Sequence, residues 1–141
     1  MRVVVDTNVF VSSFFNPEGA PRGIIDLWKK GQLILCVTEE ILEEYIEVLT
    51  RLGLSGDSEL EELLELFKRK ESIIFTKSTQ KLYVVEADPD DNKFIECAAE
   101  VQASCIVSGD KHLTEMKKFR DIIIIPPAEF KNLFNVSPRR K

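Results

Sequence analysis

Two acidic residues stand where short apolar segments end, a position that suits metal or phosphate chemistry. Asp6 directly follows Val3 to Val5, and Asp110 follows Cys105 to Val107 after a Ser-Gly pair. Short β-branched runs of this kind predict buried parallel strands. Because ligands gather where the strands of an open α/β sheet end, we expect the two carboxylates to meet at one edge.

Two further acids lie on segments with a helical pattern. When residues 39–52 are placed at 100° steps, Glu44 falls at the edge of an apolar stripe and should lean over buried surface. Pro89 suits the first position of a later helix, which makes Asp88 the expected N-cap and Asp91 an acid in the first turn. The helix dipole explains an acid there, but not why Asp91 is in line with the buried face.

Four carboxylates at one edge would repel one another and have raised, coupled pKa values unless a cation is bound. The set contains oxygen donors and no His or Cys, so it favours one or two ions of Mg²⁺ or Mn²⁺ over Zn²⁺. Such a site suits a metal-activated water that attacks a phosphodiester.

The elements that would hold these acids alternate between strand and helix. Strands are expected at 3–5, 33–37, 73–75, 105–107 and 122–125, and helices at 9–15, 20–30, 39–52, 58–70, from 89 onward, 111–117 and 128–134. This order predicts a three-layer α/β/α sandwich with a central, mainly parallel sheet of about five strands. We expect one domain over 1–135 and a short basic tail over 136–141.

Composition limits the class of protein. The chain has 141 residues, 44% of them apolar, with no apolar run near the ~20 needed to cross a bilayer and no visible signal peptide. We therefore expect a cytoplasmic protein that does not enter membranes. The cysteines, Cys36, Cys97 and Cys105, are odd in number and lack CxxC spacing, which predicts buried free thiols.

Taken together, these segments resemble a PIN domain, the nuclease fold of VapC-type toxins. The matching pieces are Val4-Val5-Asp6-Thr7-Asn8, Ile41 to Tyr45 around Glu44, Asp88 to Phe94 around Asp91, and Ser108-Gly109-Asp110. Ile125 to Phe130 also fits the branch of the family that contains toxin components. The resemblance runs from residue 2 to about 134, and the order and spacing of its motifs are more specific than any single motif.

The resemblance implies an Mg²⁺- or Mn²⁺-dependent ribonuclease. Its catalytic and metal-binding carboxylates would be Asp6, Glu44, Asp91 and Asp110. Asn8 and Ser108 would orient the acids or contact a water, with Asp88 and Asp90 as secondary candidates. The implied partners are single-stranded RNA, a second copy in a homodimer and, in toxin members, a small antitoxin protein.

Other functions stay open on the sequence alone. The chain could be a non-catalytic PIN-like scaffold that binds RNA or protein, or an RNA-processing nuclease that is not a toxin. An enzyme that forms an aspartyl-phosphate would want a second acid at position 8, where this chain has Asn8.

The net charge of −5 argues mildly against RNA binding. Two divalent ions would reduce it to about −1, and basic side chains could polarise the remainder. These side chains are Arg22, Lys29, Lys111, Lys117, Lys118, Arg120 and those of the tail. Trp28 and the leucine-rich helix over 58–70 are the expected dimer surface.

Overall fold

Six strands and seven α-helices make up the computed structural model in the residues it describes, 1–77, 81–82 and 89–136. The strands are β1 (Arg2–Val5), β2 (Ile34–Val37), β3 (Ile73–Phe75), β4 (Cys105–Val107), β5 (Lys118–Phe119) and β6 (Ile122–Ile125). The helices are α1 (Thr7–Phe15), α2 (Ala20–Lys29), α3 (Glu39–Arg51), α4 (Ser58–Arg69), α5 (Asn92–Val101), α6 (Lys111–Thr114) and α7 (Pro127–Val136). Among these helices, none is long and apolar enough to cross a membrane.

The strands form one sheet in the order β3-β2-β1-β4-β6-β5, in which only β5 runs antiparallel to its neighbour. Chain order reverses between β1 and β4, where Val5 lies opposite Val107. In open α/β sheets this reversal marks the crevice that binds ligands, at the carboxyl ends of the strands. Asp6 and Asp110 follow the two strands that flank it.

The central strands are apolar because both faces of the sheet are covered. Val3 to Val5 and Cys105 to Val107 have no exposed surface. Helix α5 packs on β1, β2 and β4, and α3 contacts both α1 and α5. The rings of Phe10 and Tyr45 stack with centroids 4.1 Å apart, which joins α1 to α3. The predicted α/β/α arrangement with a mainly parallel sheet is confirmed.

The expected helix over 111–117 is too long. Helix α6 ends at Thr114, and Lys117 has a φ of 64°, in the left-handed region that interrupts a helix. Lys118 and Phe119 then pair with Ile123 and Ile122. This short antiparallel strand brings the number of strands to six. The sequence did not predict it, because a segment of two residues is too short to show a strand pattern.

The start of α5 also differs from the expectation. A 3-10 turn occupies Pro89–Asp91, so the α-helix begins at Asn92 and Asp91 stands at its N-cap rather than in its first turn. A 3-10 turn advances the chain further per residue than an α-turn does, which shifts the register of the cap. The predicted cap residue, Asp88, lies outside the described residues, as do 78–80, 83–87 and the tail from 137.

The expected dimer surface is largely internal. Trp28 is only 2% exposed, and its indole nitrogen donates to the carbonyl of Glu71 at 3.2 Å. In α4, Leu60, Leu63 and Phe67 are buried against the core. A tryptophan on an amphipathic helix suits a core position as well as an interface. In α2, Trp28 takes the core position. The three cysteines are buried and free, as predicted.

Candidate active site

Backbone and side-chain hydrogen bonds hold Asp6 at the junction of β1 and α1. Its amide donates to the carbonyl of Val107 at 3.0 Å, and its Oδ1 accepts from the amide of Val9 at 2.8 Å as the N-cap of α1. Its Oδ2 accepts from the hydroxyl of Ser108, which follows β4. The side chain is 4% exposed. The carboxylate is therefore fixed between the two central strands.

The environment of Asp6 disfavours its charge. Burial raises the pKa of the Asp6 carboxyl above its ordinary value, and the nearby charge of Asp110 raises it further. Hydrogen bonds from Ser108 and Val9 act in the opposite direction but do not cancel the effect of burial. A cation close to Asp6 would favour the ionised form and restore its charge.

Ser108 connects the acids that follow β1 and β4. Its fully buried hydroxyl donates to Asp6 and accepts from the amide of Asp110 at 2.9 Å. Asp110 in turn caps α6, since its Oδ1 accepts from the amide of His112 at 2.7 Å. The two acids expected to meet at this edge thus share one serine between them.

Glu44 reaches the same place from α3. Its Oε1 accepts from the hydroxyl of Thr7, and its Oε2 lies 3.3 Å from the ammonium of Lys93. The next residue, Tyr45, donates its phenol hydroxyl to the carbonyl of Val5, the last residue of β1. Helix α3 is therefore attached directly to the strand end that presents Asp6.

Lys93 lies among the acids with 7% of its side chain exposed. Its ammonium donates to the carbonyl of Asp90 at 2.9 Å and lies 3.9 Å from the carboxylate of the same residue. It also lies 5.2 Å from the centroid of the Phe94 ring. Lysine is almost never buried without paired charges, and here the pairs come from α3 and from the turn before α5.

The remaining predicted residues differ in burial. Asp91 is partly buried with its Oδ2 shielded from solvent, and its side chain makes no capping bond to α5. Capping therefore does not account for Asp91. Asn8 and Asp90 are exposed at the rim. Asp88 lies outside the described residues.

One cleft of about 240 Å³ is lined by the four principal acids and by Lys93. Its lining consists of Asp6, Thr7, Asn8, Glu44, Val48, Arg51, Asp90, Asp91, Lys93, Phe94 and Asp110. The structure thus brings the four principal predicted acids to one cleft, with Asn8 and Asp90 beside them, while Ser108 lies behind it. Sequence reasoning missed Thr7, Arg51 and Lys93 as members of the site.

The donor chemistry of the cleft fits a hard divalent cation, because the acids offer only carboxylate oxygens. Within the described part of the chain, however, no three Asp, Glu, His or Cys side chains stand close enough to hold one ion. The carboxylates of Asp6, Glu44 and Asp110 are instead engaged by protein donors. For these carboxylates to bind one ion together, some of the side chains would have to rotate from these positions.

The expected start of the helix at Pro89 concealed a signal for Lys93, because it placed the lysine at the fifth helical position. In the structure Lys93 is the second residue of α5, where the positive end of the helix dipole disfavours a cation. A lysine at that position indicates compensating acids from elsewhere in the fold. Its partner Glu44 comes from another helix, and the periodicity of one helix does not reveal a pairing between two.

Comparison with known proteins agrees with the geometry. The profile of the PIN domain matches residues 2–112. A similar protein is the uncharacterized protein MJ1680 of Methanocaldococcus jannaschii, 34% identical over 121 residues, which span 83% of this chain and 76% of that protein. The segment that matches the PIN domain, 2–112, contains all five acids that line the cleft.

Proposed function

The chain belongs to the PIN-domain family, and from this premise we propose that it is a metal-dependent endoribonuclease acting on single-stranded RNA. Family membership supports nuclease activity in general. Mg²⁺ or Mn²⁺ as the ion and RNA as the substrate are the further steps of the proposal.

One observation carries the proposal, namely the single cleft in which Asp6, Glu44, Asp91 and Asp110 converge at the carboxyl edge of the sheet. The pKa of Asp6 is raised chiefly by burial and to a smaller extent by the charge of Asp110, and a perturbed carboxyl in a cleft is typical of functional sites. Structural roles account for parts of this arrangement, since Asp6 and Asp110 cap helices. Helix capping does not account for the positions of Glu44 and Asp91, because neither side chain caps its helix.

A divalent ion in the cleft would supply a Lewis acid that activates water and offsets the charge of the phosphodiester. Asp6, Asp91 and Asp110 are the residues proposed to hold it, with Glu44 as the fourth acid of the site. Ser108 would keep Asp6 oriented through its buried hydroxyl. Asn8 at the rim would contact a water, and Arg51 and Lys93 would face the phosphates.

The test is cleavage of a labelled single-stranded RNA by the purified chain with Mn²⁺, in parallel with EDTA and with Asp6→Asn. We expect cleavage only in the first reaction. Asp57→Asn is a matched control, because Asp57 also caps a helix through its carboxylate but does not line the cleft. It should cleave at the wild-type rate.

Unchanged cleavage in EDTA or by Asp6→Asn would contradict metal-dependent catalysis at this site. RNA binding without cleavage under every condition would instead favour the non-catalytic scaffold. An RNA duplex and a DNA strand of the same sequence complete the comparison, since preference for either one contradicts single-stranded RNA as the substrate.

We propose that the chain forms a homodimer. Light scattering on the purified chain measures its oligomeric state.

We also propose a toxin role, with a small antitoxin protein that covers the cleft. Growth arrest when the chain is expressed, abolished by Asp6→Asn, would support this role. An RNA-processing nuclease would cleave the same substrates without arresting growth.

A further inference from the structure

The ammonium of Lys93 is placed where burial and the helix dipole both disfavour a positive charge. The side chain is 93% buried and belongs to the first turn of α5. Each factor raises the free energy of a cation at that point. The surrounding acids must therefore compensate, and the ammonium is a fixed component of the electrostatics of the cleft.

The partner of this ammonium is held on both sides. Oε2 of Glu44 lies 3.3 Å from Nζ of Lys93, while Oε1 accepts from the hydroxyl of Thr7. The carbonyl of Asp90 accepts from Lys93 at 2.9 Å and fixes the lysine in turn. Both carboxylate oxygens of Glu44 are thus engaged, one of them by a cation, whereas the two oxygens of Asp6 accept only from the neutral donors Val9 and Ser108.

We propose that the Glu44–Lys93 pair takes the place of a second metal ion, so that the cleft binds one divalent cation. Glu44 is then a positioning residue that holds Lys93, and the ion is assigned to Asp6, Asp91 and Asp110. This inference rests on the proposed function, because it concerns the same cleft and the same cation.

Protein cations already occupy part of the cleft. Two of its lining side chains, Lys93 and Arg51, are basic and stand among five carboxylates. A second divalent ion near Glu44 would have to displace the ammonium from its three contacts with Glu44 and Asp90. That displacement would leave a buried lysine without its paired acid, which is strongly unfavourable.

Counting Mn²⁺ ions bound to the full chain, by titration calorimetry and electron paramagnetic resonance without RNA, tests the inference. We expect one ion per wild-type chain and one per Glu44→Gln chain. Asp6→Asn should weaken binding at least about tenfold. Lys93→Met releases Glu44 and should raise the number to two, whereas Lys93→Arg should keep it at one.

Lys68→Met is the matched control, because Lys68 is exposed on α4 and does not line the cleft. Its stoichiometry should stay at one. Thermal melting provides a second measurement. In EDTA, Lys93→Met should melt below wild type, and Mn²⁺ should raise its melting temperature more than that of wild type.

Two ions on the wild-type chain, or loss of an ion in Glu44→Gln, would overturn the inference while leaving the proposed nuclease intact. A count that stays at one in folded Lys93→Met would also overturn it. Should Lys93→Met fail to fold, the comparison of wild type with Glu44→Gln decides the question alone. No Mn²⁺ on any variant would overturn this inference and the proposed metal dependence together.

Discussion

Asp6 combines a structural bond with a position in the cleft, and a substitution can separate the two. Asparagine caps helices about as well as aspartate, so Asp6→Asn should retain the bond to Val9 while losing the charge. Loss of an outer partner of a metal ligand costs about 10–100-fold, so loss of a ligand should cost at least about 100-fold in cleavage rate. The measurement is kcat/KM on single-stranded RNA with Mn²⁺.

The same substitution should stabilise the chain in EDTA at neutral pH. Because burial raises the pKa of Asp6 in the folded state, its contribution to stability is present at low pH and is lost as pH rises through that raised pKa. Asp6→Asn removes the titrating group, so its advantage over wild type should appear near pH 7 and vanish near pH 4. Urea unfolding at both pH values measures this, and a less stable Asp6→Asn at pH 7 would indicate a structural role.

Ser108 offers a second residue-level prediction. Ser108→Ala removes the hydroxyl that donates to Asp6 and accepts from Asp110. We expect cleavage to fall by about 10–100-fold, because the groups that orient a metal ligand have effects of this size. Ser12→Ala, at an exposed position of α1, is the control and should be neutral. A Ser108→Ala chain with wild-type kcat would show that the serine serves the fold alone.

At the level of elements, Tyr45 attaches α3 to β1. Its fully buried hydroxyl donates to the carbonyl of Val5, and its ring stacks on Phe10. Tyr45→Phe should retain the stack and lose the hydrogen bond, lowering the free energy of unfolding by about 1 kcal/mol. Urea denaturation with an unchanged m-value measures the loss, and an unaltered midpoint would contradict the role of this bond.

Element boundaries show how far the sequence can be interpreted. Strands that are buried on both faces, such as β1 and β4, appear as apolar runs, so the two acids that follow them could be placed at one edge. The pairing of Glu44 with Lys93 could not, because their helices meet only through tertiary packing. The start of α5 was shifted by a 3-10 turn that local propensities do not distinguish from an α-turn.

Whole-molecule packing leads to a prediction for the cysteines. Burial raises the pKa of Cys36 to about 11 and that of Cys97 and Cys105 to about 12. At pH 8 only about one Cys36 thiol in a thousand is ionised, and thiolate is the reactive form. Dithionitrobenzoate should therefore label no cysteine of the folded chain within minutes and all three after unfolding in urea. One rapidly labelled thiol at pH 8 would show that a cysteine is accessible.

Two of the basic residues expected to attract RNA are already paired with acids. Arg22 and Lys29, both expected to polarise the surface, form ion pairs with Glu59 and Glu62 instead. Neither residue lines the cleft. The cations beside the acids are Arg51 and Lys93, which the order of charges along the chain did not single out.

The bond between Ser108 and Asp6 joins residues 102 positions apart. The acids of the cleft likewise come from the first strand, the middle of the chain and the segment after β4. A nascent chain therefore cannot assemble the cleft until Asp110 and β6, the strand that pairs with β4, are available to fold. If the chain cuts RNA, translation delivers it inactive, and the messenger and ribosome that make it are protected at least until β6, which ends at Ile125, has been synthesised.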